Sequence, residues 1–222
     1  MGYSIAIDGP AGAGKSTIAK RVAEEKGYIY VDTGAMYRGL AVRFLDKGIS
    51  PEDANAIIQA LDGVEIKIGY EEGQQQIYVN DKNITSRLRE EAVGNMASVS
   101  SAIPEVRAKL LELQRELART ENVVMDGRDI GTFVLPNADV KVFLTASVVT
   151  RAKRRYDELK EKGIKHATFQ EVERDIKERD ERDSNRKVAP LKQADDAVLI
   201  DSSNMWKEDV VDEILKHCKQ GE

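Results

Sequence analysis

Eight consecutive residues, Gly9-Pro10-Ala11-Gly12-Ala13-Gly14-Lys15-Ser16, follow the pattern G-x-x-x-x-G-K-S/T, whose chemistry is a grip on phosphate. The run Tyr3-Ser4-Ile5-Ala6-Ile7-Asp8 ahead of them reads as a buried strand. Behind them Thr17 to Ala23 begins a helix with Ile18, Ala19, Val22 and Ala23 on one side. A strand, a glycine loop and a helix start gather backbone N–H groups at the positive end of the helix dipole. Gly9, Pro10, Ala11, Gly12, Ala13, Gly14, Lys15, Ser16 and Thr17 are therefore the expected site for a nucleoside triphosphate such as ATP. Lys15 should reach the β- and γ-phosphates, and the Ser16 hydroxyl should ligate Mg²⁺. Asp126 ends the apolar run Val123-Val124-Met125 and could orient the same Mg²⁺ through its water shell. Asp8 also closes a strand; a carboxylate that hydrogen-bonds the loop accounts for it as well as a metal role does.

A phosphate loop alone leaves GTPases, motor ATPases and small-molecule kinases open. The chain holds no N-K-x-D signature for guanine, which weakens the first of these. The arginines say more. Arg38 stands in Asp32-Thr33-Gly34-Ala35-Met36-Tyr37-Arg38, directly after an expected second strand. Arg128 and Asp129 stand in the glycine-flanked turn Asp126-Gly127-Arg128-Asp129-Ile130-Gly131. Arg179, Asp183 and Arg186 recur at i, i+4 and i+7, which puts them on one face of a helix. Guanidinium forks bind phosphate oxygens bidentately and offset the charge of two phosphorylated reactants held together.

The elements that must position these groups alternate as a parallel sheet requires. Further strands are expected at Tyr28–Val31, Val123–Asp126, Val140–Leu144 and Ala197–Ile200, with helices over Ala35–Lys47 and around Val210–Leu215. Two stretches break the alternation. Between Gly63 and Ile84, alternating Val64, Ile66 and Ile68, a Gly-Gln-Gln-Gln turn, then Ile77 and Val79 predict a small antiparallel insertion. Helical patterns follow it, with Pro104 placed to open a helix. The charged run Arg151–Lys187, interrupted at Gly163, predicts a pair of solvated helices.

Composition bounds the rest. A chain of 222 residues buries roughly 70–75% of its unfolded surface and needs no cross-links. Its single cysteine, Cys218, rules out an internal disulfide and a cysteine-based zinc cluster, and is read as an ordinary packing or surface residue. A net charge of −5 and 5% aromatic residues give no support to a nucleic-acid partner. No stretch is apolar enough to cross a membrane and no signal-peptide pattern opens the chain, so a cytoplasmic monomer is the expectation.

The motifs G-P-A-G-A-G-K-S, D-T-G-A-M-Y-R, D-G-R-D-I-G-T and E-R-D-E-R-D-S-N-R, in this order, closely resemble those of the bacterial cytidylate (CMP) kinase family, from the first strand to the last helix. The resemblance implies an α/β P-loop NTPase fold: a parallel-sheet core flanked by helices, a small antiparallel monophosphate-binding insert and a short helical lid. It implies one kinase domain over 1–222, with core segments about 1–62, 104–150 and 187–222, the insert about 63–103, and the lid and substrate helix about 151–186. The reaction implied is ATP with CMP or dCMP to ADP with CDP or dCDP, with Mg²⁺. It makes Lys15, Arg128 and Arg38 the catalytic cations, the two arginines acting on the acceptor phosphate. Thr33, Arg107, Asp129 and Arg186 would line the cytosine, and Arg179 and Asp183 would face the sugar hydroxyls. Thr33 stands where other members carry Ser, which keeps the hydroxyl. The lid would be the stretch around Arg151, Arg154 and Arg155 up to Gly163. Other acceptors (UMP, AMP or a metabolite such as shikimate) and an ATP-binding switch without rapid turnover are the rival readings.

Overall fold

The computed structural model describes residues 2–161, 163 and 168–218. The chain divides into two compact units, one of Met1–Tyr30 with Glu121–Glu222 and one of Val31–Thr120.

The first unit is built on β1 (Ser4–Asp8), β6 (Val123–Gly127), β7 (Val140–Thr145) and β8 (Val198–Asp201). With β2 (Ile29–Asp32), in which the chain passes into the second unit, they form a five-stranded sheet of order β2-β6-β1-β7-β8. The pairs β1–β6, β1–β7 and β7–β8 are parallel, and Asp8 stands level with Gly127 on one side and Phe143 on the other. β1 is buried along its whole length, as a central parallel strand must be. Ile5, Ile7, Val124, Val142 and Leu144 pack with Ile18, Ala19 and Val22 of α1 (Lys15–Lys26) and with Val210, Val211 and Ile214 of α8 (Lys207–His217). Cys218 lies in this core, so of its two expected settings the packing one is found. A single wide turn over Ile130–Val134 follows β6.

Two charged helices complete this unit, α6 (Val148–Glu161) and α7 (Phe169–Ser184). They are not solvated all round. Ala152, Val172 and Ile176 form a buried seam between them, edged by Tyr156 and Phe169 in a T-shaped ring contact. Thr168 and Glu171 make a reciprocal capping box that starts α7. Residue 162, near the end of the expected lid, and residues 164–167, within the expected lid and substrate-helix stretch about 151–186, lie outside the described residues.

The second unit carries α2 (Thr33–Asp46), α3 (Ala54–Gln59), α4 (Glu91–Ser100) and α5 (Pro104–Thr120) with a three-stranded sheet of β3 (Ile66–Glu71), β4 (Gln74–Val79) and β5 (Lys82–Asn83). That sheet is antiparallel, as the alternation required. The turn, however, falls at Glu72-Gly73, both at positive φ, and the three glutamines belong to β4. α2 starts two residues earlier than Ala35 because Asp32 caps it, accepting from the Ala35 N–H at 2.8 Å. Pro104 opens α5, where its missing N–H costs nothing. Met36, Leu40, Phe44, Ile57, Ile77, Met96 and Leu110 are fully buried.

Candidate active site

The loop Gly9–Gly14 leaves the carboxyl end of β1, where the sheet order puts β6 and β7 on either side. Gly9 has φ 150°, and a Cβ there would lie 1.9 Å from the Leu144 carbonyl oxygen, so only glycine lets the loop depart. Gly14 caps α1 in a left-handed conformation, and its carbonyl accepts from the N–H groups of Thr17 and Ile18 at 3.1 Å each.

Lys15 is buried and folds over the loop, its Nζ donating to the Pro10 carbonyl at 2.8 Å. Its pKa is held well below the ordinary lysine value, first by burial and next by the charge of Arg128, with Arg179 adding to the effect and Asp126 and Asp8 opposing it. Ser16 Oγ donates to Asp126 Oδ2 at 3.0 Å, and the Tyr30 hydroxyl donates to Asp126 Oδ1 at 2.8 Å. Asp126 is thus brought to the loop, and Tyr30 is an orienting partner that the sequence did not mark.

Asp8 does not bond the phosphate loop. It reaches across to the Arg128–Asp129 turn and accepts from the N–H groups of Ile130 (2.8 Å) and Gly131 (2.7 Å). Burial pushes its carboxyl up to about 7, against the lowering effect of these two bonds.

Arg128 Nε donates to Asp183 Oδ2 at 2.8 Å, and Arg186 Nη2 lies 3.3 Å from Asp183 Oδ1. Arg186 Nε and the Leu191 N–H both donate to the Asp183 main-chain oxygen, fixing the end of α7. Burial alone would raise the Asp183 carboxyl; Arg128, Arg186 and Arg179 outweigh it and hold it below the usual range. Arg128, Arg179, Asp183 and Arg186 therefore form one charge cluster, and Asp129 is buried beside Asp8.

The expected lid arginines divide. Arg155 is exposed and pairs with Glu158. Arg151 is 4% exposed and donates to the Ala11 and Ala146 carbonyls at 2.8 Å each. Arg154 donates to the Ser202 carbonyl at 2.8 Å, with longer bonds to Ser202 Oγ and the Ala13 carbonyl. Two of the three thus hold the phosphate loop from outside.

The second unit builds a separate set. Arg38 Nη2 donates to Asp32 Oδ2 at 2.8 Å. Asp32 is itself gripped through its main chain: its N–H donates to Gln75 Oε1 at 2.8 Å, and Gln75 Nε2 donates to its carbonyl at 3.1 Å. Gln75, from the insertion, thus fixes the residue that presets Arg38, and no local pattern announced it. Thr33 is buried at the first turn of α2. Arg107 is buried on α5, donates to the Ser101 carbonyl at 3.2 Å and lies 5.5 Å from the centre of the Tyr37 ring.

The sequence profile described as cytidylate kinase matches residues 5–220. The chain belongs to the cytidylate kinase family. Proteins named cytidylate kinase from Caldicellulosiruptor bescii and Lactobacillus johnsonii are 47% and 48% identical to it, each over 96% of this chain and over 94% and 92% of their own lengths. One from Halalkalibacterium halodurans is 46% identical over 98% of this chain and 97% of its own. Among solved structures, a gluconokinase from Sinorhizobium meliloti superposes with a TM-score of 0.51 at 16% identity, covering 97% of this chain and 90% of its own, a likeness of fold alone. No helix among the described residues is long and apolar enough to cross a membrane.

Proposed function

We propose that this chain transfers the γ-phosphoryl group of ATP to CMP and dCMP, giving ADP with CDP or dCDP by direct in-line displacement. The observation that carries this reading is the gathering of cations around Lys15: both Arg128 and Arg179 bear on its charge in the first unit. Asp183 pairs with Arg128, and Asp126 and Asp8 oppose the cations, yet burial with Arg128 and Arg179 keeps the Lys15 pKa depressed. Two phosphorylated reactants would bring the further negative charge that such a cluster favours, more than ATP alone brings.

Phosphoryl transfer asks for alignment and charge, not covalent help. The attacking atom is a phosphate oxygen of CMP, anionic at neutral pH, so no strong general base is needed. Lys15 would leave the Pro10 carbonyl for the donor phosphates. Their charge would reverse the depression of its pKa. Arg128, released in part from Asp183, and Arg38, preset by Asp32, would hold the acceptor phosphate. Removing one such preorganised cation costs about 10²–10³ in rate. Ser16 and Asp126 present hydroxyl and carboxylate oxygens 3.0 Å apart, which fits Mg²⁺: the Ser16 hydroxyl would ligate the ion and Asp126 would orient it through a bound water. Among the described residues no group of three or more His, Cys, Asp or Glu could hold a metal; Mg²⁺ sites of this kind use one or two protein oxygens with substrate phosphates. Bound there, the ion would neutralise phosphate charge.

Cytosine presents an exocyclic amine donor beside the N3 acceptor, and uracil reverses both. Asp129 would accept from the amine, with Arg186 and Arg107 assigned to the N3 and O2 edge and Thr33 lining the base. Arg179 and Asp183 would read the sugar hydroxyls. Asp129→Ala tests the base reading: the CMP/UMP ratio of kcat/KM should fall at least tenfold, and an unchanged ratio would sink the assignment.

A further inference from the structure

Asp180 stands in the charged run Glu178-Arg179-Asp180-Glu181-Arg182-Asp183, where sequence alone offers one more solvated carboxylate on α7. Its surroundings are different. Asp180 Oδ1 accepts from the Ala11 N–H at 3.0 Å, and Oδ2 accepts from Arg151 Nη1 at 2.5 Å. The same Arg151 Nη1 donates to the Ala11 carbonyl at 2.8 Å. Both main-chain polar groups of one loop residue are therefore held by side chains, the N–H by a carboxylate from α7 and the carbonyl by a guanidinium from α6. The next residue, Gly12, fits so closely that a Cβ would come within 3.2 Å of Arg151 Cβ and 3.6 Å of Ile176 Cδ1.

A bare carboxylate beside a loop built for triphosphate would repel that ligand. Arg151 cancels the charge, and its own burial is tolerable because Asp180, Ala11 and Ala146 use its donors. Asp180 is also three residues before Asp183, the partner of Arg128, and residues at i and i+3 share a helix face. One face of α7 thus holds the phosphate loop at Ala11 and the Arg128 guanidinium a turn further on.

We infer that Asp180 and Arg151 are positioning residues for the phosphoryl donor, a charge-neutral clamp that fixes Ala11 and presets the loop before the triphosphate enters. The inference rests on the proposal that residues 9–17 bind ATP. Neither residue touches the reacting atoms. The clamp acts through the loop, so its loss should weaken ATP and leave CMP alone. It also assigns opposite consequences to the two halves of the pair: Arg151 removed alone leaves an uncompensated negative charge at the loop, and removing the Asp180 charge as well relieves it.

The test measures Mg-ATP binding by calorimetry without CMP, together with KM for ATP and for CMP and the melting temperature. The set is wild type, Asp180→Ala, Asp180→Asn, Arg151→Met and Arg151→Met/Asp180→Asn. Asp180→Ala should weaken ATP by roughly tenfold, while Asp180→Asn, which keeps an acceptor for the Ala11 N–H, stays within about threefold of wild type; KM for CMP should change less than twofold in both. Arg151→Met should weaken ATP more than the double variant does, a sign of coupling that lost packing does not produce. Should Arg151→Met not fold, the Ala and Asn variants of Asp180 decide alone. Equal damage to ATP binding in those two, or an Asp180→Ala variant that melts lower yet binds ATP as wild type does, overturns the clamp. A wild type that binds no ATP overturns the donor-site reading beneath it.

Discussion

Replacing Gly9 by alanine tests how tightly the sheet and the phosphate loop are joined. The residue sits at φ 150°, and its added Cβ would stand 1.9 Å from the Leu144 carbonyl oxygen and 3.0 Å from the Leu144 carbonyl carbon. Both obstacles are backbone. They belong to β7, whose register with β1 is fixed at Ile5↔Val140 through Asp8↔Phe143, so relief requires breaking strand pairing or moving the loop. Strain at a sparsely populated φ contributes about 1–3 kcal/mol and overpacking another 1–3 kcal/mol, so the expected loss is roughly 3–5 kcal/mol. Gly27→Ala separates the two contributions. Gly27 ends α1 at φ 66° with nothing within 4 Å of the added Cβ, so only the backbone effect of about 1 kcal/mol applies. Urea unfolding followed by circular dichroism gives both values, and Mg-ATP binding by the folded fraction shows whether the loop moved. The reasoning is refuted if the two alanine variants lose the same stability.

Three other outcomes follow from the site. The Asp8 carboxyl titrates at about 7 when folded, against an ordinary 3.8, so the folded state holds this proton more tightly and stability declines as pH rises between those values. Asp8→Asn should therefore gain about 2–3 kcal/mol relative to wild type between pH 5 and pH 8, read from urea midpoints; parallel pH profiles would contradict this. Tyr30→Phe removes the 2.8 Å bond to Asp126 and should raise the Mg²⁺ concentration for half-maximal rate severalfold, with KM for CMP unchanged. Arg128→Met should cut kcat by about 10²–10³, and a loss below threefold would remove it from the catalytic set.

What the sequence made legible was local. Gly9 to Ser16 are contiguous, and strand, loop and helix follow from their neighbours, so the phosphate loop was visible at once. The alternating Val64, Ile66 and Ile68 gave the small sheet, but the turn was displaced because Glu72 adopts a positive φ that its type disfavours. The partners that hold the site together left no such trace. Tyr30 and Asp126 are 96 residues apart, Asp32 and Gln75 are 43 apart, and Ala11 and Asp180 are 169 apart. Asp180 looked like one more solvated charge, and nothing marked Arg151 as buried, because charge patterning along a helix does not say which charges another element will bury. The pairing of Arg128 with Asp183 has the same character; both residues were noticed because they stand in recognisable motifs.

The central claim is tested most directly by ADP release from Mg-ATP, coupled to a spectrophotometric readout, with CMP, dCMP, UMP, AMP, GMP or no acceptor. Rapid turnover confined mainly to CMP and dCMP is the result expected. Equal turnover with another acceptor, or slow ADP release indifferent to every acceptor, would contradict it.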